Sequence, residues 1–154
     1  MTSSKTQKAV ALHNAGSACS QAVFVPFARD LGMDERLAHK VSGGLGGGVG
    51  RCGHVCGAVT GGVLALSLAY GAETSDDQDA KLATYDTVAK FIKQIETKYG
   101  SVECRTLLKG ADLWTQEGRD KVKAEGLNVQ VCDSIIADAA MLVEKLLPAE
   151  ASHG

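Results

Sequence analysis

A chain of 154 residues and 16.0 kDa, 45% apolar and 22% charged, has the size and composition of one globular domain with a core of its own. A net charge of -2, a pI near 6.1 and only 5% aromatic residues exclude a nucleic-acid footprint, a polybasic membrane patch and a stacking platform for single strands. What stands out is 18 glycines and five cysteines.

In chain order, the N-terminus Met1–Lys8 is polar and lacks the apolar core of a secretory signal, so a reducing cytoplasm is the expected compartment. The spacing predicts a first helix from about Lys5 to Ala15, stopped by Gly16. Ser17 then reads as the N-cap of a helix bearing Cys19, Val23, Phe24, Phe27 and Leu31, kinked or split by Pro26 and ended at Gly32. A short helix follows from Asp34 to about Val41.

Ten glycines fall between residues 43 and 62, which predicts a loop with positive φ or close backbone approach. A small-residue helix begins near His54 and stops at Gly71. Its charge-free stretch from Val55 to Ala72 contains Gly57-x-x-x-Gly61, a packing motif of membrane helices. It is short of the ~20 apolar residues that a span needs, so a buried helix packed closely on its neighbours is expected.

Ser75-Asp-Asp-Gln78 is a capping-box pattern opening a helix in which Leu82, Tyr85, Val88, Phe91, Ile92, Ile95 and Tyr99 recur at threes and fours. Gly100 ends it. Ser101 caps a short helix carrying Cys104, and Thr115–Ala124 is a polar surface helix with Asp112-Leu-Trp114 before it as a core anchor. Asn128 caps the last helix, which carries Cys132, Ile135, Ile136 and Leu142 and is halted by Pro148; the tail from Ala149 is expected to fray. Alternating strand patterns are absent. The expected fold is a single-domain, all-α bundle over residues 1–154 with one Gly-rich loop.

Four of the cysteines, Cys19, Cys56, Cys104 and Cys132, fall near predicted helix starts, where free N–H groups favour a thiolate. Cys is also among the most buried small residues, which accounts for any one of them but poorly for all four. Cys52-x₃-Cys56 is the only closely spaced pair, and redox C-x-x-C and haem C-x-x-C-H are absent. A site built from the quartet would draw one ligand from each of four helices, as helical bundles do.

Gly46-Gly-Gly-Val-Gly-Arg51 followed by Cys56-Gly-Ala-Val-Thr-Gly61 resembles the signature of the C_GCAxxG_C_C family, described as redox-active proteins. The resemblance extends to Cys19-Ser-Gln-Ala-Val23 and to two later cysteines at Cys104 and Cys132, so it covers most of the chain. The family is similar to the iron–sulfur domain of split-Soret cytochromes c, and this implies a redox role and an iron–sulfur cluster. Covalent haem is not expected here, and Cys52 lies outside the matched quartet.

The expected function is therefore electron transfer or redox sensing rather than conversion of a substrate. Cys19, Cys56, Cys104 and Cys132 would be ligands to a cluster, with [2Fe–2S] favoured, and the loop, with Gly47, Gly48 and Gly57 as cofactor-binding positions, would donate N–H groups to its sulfides. Arg51 could add positive charge. Two readings compete: a thiol–disulfide protein in which Cys52 or Cys56 attacks, and a structural zinc site. Expected partners are a redox partner protein and, as a lean, a second copy, with no nucleic acid and no membrane insertion. Gly48-x-Gly50-x-x-Gly53 matches the dinucleotide fingerprint but lacks a preceding strand, and is set aside. His54 is the best histidine for a substitute ligand, though a water-facing role is favoured; His13, His39 and His153 have no context.

Overall fold

The computed structural model describes residues 3–149. Over these the chain is all-α, and the only β-pairing among them is an isolated antiparallel bridge between Val55 and Glu103. Helix α1 (Ser4–Asn14) starts where Ser3 Oγ accepts the Thr6 N–H at 3.1 Å. Helix α2 (Cys19–Ala28) has Ala18, not Ser17, at its N-cap, and Gln21 Oε1 reaches back to accept the Ala18 N–H at 2.8 Å. Pro26 does not split α2, because it stands in the last turn; the helix ends three residues short of Leu31. Helix α3 (Glu35–Ser42) is capped by Asp34, whose carboxylate accepts the Leu37 N–H at 3.0 Å.

Helix α4 (Gly57–Tyr70) begins later than the sequence suggested, with Cys56 as its N-cap. The 22-residue helix α5 (Gln78–Tyr99) is capped by Asp77, so the Ser75 capping box does not form; Gly100 ends it at φ 80°. Leu82 and Tyr85, expected on its core face, are exposed because the first turns of α5 extend past the bundle, whereas Phe91 and Ile95 are buried. The four-residue helix α6 (Cys104–Leu107) has Glu103 rather than Ser101 as N-cap. Thr115 caps helix α7 (Gln116–Ala124), and Asn128 caps nothing: residues Asn128–Asp133 form a π-helical turn that runs directly into α8 (Ser134–Leu146). The expected fraying beyond Ala149 lies outside the described residues.

The main core gathers α1, α2, α4, α5 and α8 around Phe24, Phe27, Val59, Leu66, Phe91, Ile135 and Ile136. Helix α4 lies at its centre because it lacks bulk. A Cβ on Gly61 would meet the Ser20 carbonyl oxygen at 2.5 Å, and one on Gly62 would meet the Phe91 ring at 2.3 Å. The apolar, small-residue stretch is thus a bundle helix, and no single helix among the described residues is long and apolar enough to cross a membrane.

A second, smaller cluster forms around α6 and α7 from Cys104, Leu108, Ala111, Val122 and Leu127. Trp114 belongs to neither core. It is 72% exposed, which corrects its expected role as an anchor: Trp114 N–H is taken by the Asp112 carboxylate in a tight turn that turns the indole outward.

Candidate functional site

The glycine loop is built as a left-handed turn. Five consecutive residues, Gly47, Gly48, Val49, Gly50 and Arg51, have φ between 58° and 73°. Val49 and Arg51 are L-residues in a region that costs ~1–3 kcal/mol each, and the surrounding backbone bonds hold them there. Gly47 and Gly48 carbonyls accept the N–H groups of Gly53 (3.2 Å) and His54 (2.9 Å). Knotted in this way, residues 53–56 run beside residues 102–105. Cys56 N–H donates to the Val102 carbonyl at 2.8 Å, and Cys104 N–H donates to the His54 carbonyl at 2.6 Å. The Val55–Glu103 bridge therefore sets Cys56 and Cys104 next to each other although 47 residues of sequence lie between them.

Cys19 is brought to the same place by missing side chains. A Cβ on Gly57 would lie 2.9 Å from the Ser20 nitrogen and 3.0 Å from Cys19 Cβ, so only glycine lets the start of α4 touch the start of α2. Ser20 Oγ donates to the Ser42 carbonyl at 2.7 Å and Gln21 closes the helix start, which fixes the turn carrying Cys19. Gly48 approaches as closely from the other side: its Cβ would meet Cys104 Cβ at 2.7 Å.

The result is one cavity of about 640 Å³ whose wall includes Cys19, Cys56, Cys104 and Cys132. Gly47, Gly57, Arg51 and Arg119 also line it, as does His13. Gly48 does not reach the wall but backs Cys104. Cys52 is exposed, and neither it nor His54 lines the cavity. All five cysteines are free thiols. Among the described residues, no three His, Cys, Asp or Glu side chains converge closely enough to hold a single metal ion.

Helix starts do not make these thiols acidic. Cys19 and Cys104 open their helices and Cys56 caps one, but Cys132 sits within the π-helical turn. Burial pushes Cys56 up to about 12, helped by the charge of Cys19, and outweighs the opposing amides of Ala58 and Val59 at the start of α4. Burial likewise takes Cys104 to about 12, with Cys56 and Cys19 adding to it. Cys19 is raised well above the ordinary thiol range, first by its contact with Cys132 and then by burial. Burial and crowding thus favour the protonated forms of Cys19, Cys56 and Cys104.

Sequence reasoning missed His13. It lies in the last turn of α1, with Nδ1 2.8 Å from Asp133 Oδ1 and Nε2 3.9 Å from Cys19 Sγ. Its pKa is pushed up to about 9, foremost by Cys19 and then, against burial, by Asp133. No local pattern links residues 13, 19 and 133; only the position of Asp133 beside Cys132 could have drawn notice.

No curated protein and no solved structure matches the chain. The family model described as "Putative redox-active protein (C_GCAxxG_C_C)" matches residues 17–146, well over half of the chain and all four cavity cysteines. The chain belongs to the C_GCAxxG_C_C family of redox-active proteins.

Proposed function

We propose that Cys19, Cys56, Cys104 and Cys132 together bind an iron–sulfur cluster, [2Fe–2S] by preference, and that the protein uses it for electron transfer or redox sensing. One observation carries this reading: thiols from four separate stretches of sequence line a single cavity. Thiolates crowded together need cationic charge beside them, and the upward shifts of Cys19, Cys56 and Cys104 support this. Iron ions supply that charge, and coordination removes the thiol protons.

The donor spacing favours a cluster over zinc. A structural zinc ion needs four ligands within ~2.0–2.3 Å of one point. Among the described residues, no three His, Cys, Asp or Glu side chains converge in that way. In a bridged cluster each iron takes part of its coordination from sulfide, so the protein donors need not meet at one centre. A thiol–disulfide mechanism with Cys56 as the attacking thiol is disfavoured on other grounds, since an attacking cysteine needs a depressed pKa and burial pushes that of Cys56 up.

Bound here, a cluster would supply one-electron oxidation and reduction. The chain's own residues would do the rest. Gly47, on the wall, has an N–H with no acceptor among the described residues and would donate it to a sulfur. Arg51 and Arg119 would offset negative charge on the open side, and the main core behind Cys19 and Cys56 would keep water away. Electrons would pass to a partner protein by outer-sphere transfer.

The test is iron, zinc and acid-labile sulfide per chain, with a visible spectrum, on protein purified without oxygen. Iron and sulfide in matching amounts with sulfur-to-iron charge-transfer bands are expected. Colourless, iron-free protein with full helicity, or stoichiometric zinc, contradicts the proposal.

A further inference from the structure

We infer that His13, held by Asp133, is a positioning residue for the cysteine site: it sets the spacing between Cys19 and Cys132. The inference rests on the cluster reading above. Asp133 directly follows Cys132 in the π-helical turn, and its carboxylate accepts the His13 Nδ1–H at 2.8 Å across 120 residues of sequence. The opposite edge of the same ring, Nε2, lies 3.9 Å from Cys19 Sγ. The imidazole therefore spans from the carboxylate of the residue beside one thiol to the sulfur of another.

Two features of the surroundings give this strut its importance. The π-helical turn is an uncommon geometry with no side-chain cap, and it joins the small cluster to α8. Cys132 packs on the small cluster, whereas Cys19 packs on the main core, so their separation depends on ties between the two. The ring and the carboxylate are largely shielded, with 15% and 17% of their side chains exposed, so water competes weakly for the bond. Groups that orient a metal's ligands without touching the metal typically change affinity by ~10- to 100-fold when removed.

The experiment uses the full chain reconstituted with iron and sulfide under nitrogen, as wild type, His13→Ala, Asp133→Ala and Asp133→Asn. The readouts are iron retention against a chelator, reduction potential, visible circular dichroism and far-ultraviolet helicity. His13→Ala and Asp133→Ala should keep their helicity, lose ~10- to 100-fold in iron retention and shift potential and visible dichroism alike. Asp133→Asn, whose Oδ1 still accepts the Nδ1–H, should restore most of both signals. Should His13→Ala lose helicity, the contrast between the two Asp133 variants decides. Iron-loaded His13→Ala with wild-type potential and dichroism overturns the inference and leaves the cluster reading standing. A nitrogen coupling in the electron paramagnetic resonance of the reduced protein, absent in His13→Ala, also overturns it by making His13 a ligand. Wild type that takes up no iron or sulfide sinks the cluster reading and the inference together.

Discussion

The two hydrophobic clusters of this protein differ in kind. Among the described residues the main core buries twenty-one, most of them on α1, α2, α4, α5 and α8, and three of them phenylalanines. The smaller one buries five, of which one is Cys104 itself, under a four-residue helix and the polar α7. Cys19 and Cys56 stand on the strong side; Cys104 belongs to the weak side and Cys132 packs against it. A group held by all four thiols would cross-link the two. The lesson is that such a group would sit where folding alone leaves the structure least secured, so that its binding would be coupled to local order.

The largest effects should separate the two regions. Phe91→Ala, which empties space against Gly62 in the main core, should cost ~3–5 kcal/mol and lower the global unfolding midpoint. Leu127→Ala should cost ~2–5 kcal/mol locally, and hydrogen exchange should show protection lost over residues 101–127 while α2 and α4 keep theirs. An equal loss of protection in α2 and α4 would mean that the clusters unfold as one.

A pH effect sharpens the same contrast in metal-free protein. Cys56 and Cys104 have folded-state pKa values raised to about 12 from an ordinary 9.0, so the fold favours their neutral forms. That contribution is complete below the ordinary thiol pKa and is lost as pH rises from about 9 through about 12. Denaturation midpoints should fall across this window, with residues 101–127 loosening first. A flat profile would show that the thiols ionise as easily folded as unfolded. The smallest effect is expected at the exposed indole: Trp114→Ala should change stability by no more than ~0.5 kcal/mol, and a larger loss would restore it as an anchor.

Much of this was legible in the sequence, and the failures have causes. Helix periodicity and stop glycines give the eight α-helices of the described residues because each signal is local: Gly100 at φ 80° is required just past the end of α5. Caps were misplaced where a neighbouring side chain outcompeted the expected one, as Gln21 did at α2 and Asp77 at α5. The family signature singled out the four cysteines that line the cavity, whereas the helix-start argument fails for Cys132, which sits within the π-helical turn, and was incomplete for the rest. Helix amides do oppose the shift of Cys56, but burial exceeds them, a balance that depends on tertiary packing. The antiparallel bridge at Val55, the left-handed turn through Arg51 and the contact of His13 with Asp133 join residues with no shared period, so no reading of spacing could find them.

The central claim is that the four cavity thiols, and not the loop cysteine, hold the redox group. Iron and acid-labile sulfide per chain, measured on anaerobically prepared Cys132→Ser and Cys52→Ser, test it most directly. Cys132→Ser should lose most of both, since Cys132 lines the cavity, whereas Cys52→Ser, altered at an exposed thiol off the wall, should match wild type in content and visible spectrum. Loss of iron in Cys52→Ser with retention in Cys132→Ser would contradict the account and move the site onto the segment from Cys52 to Cys56.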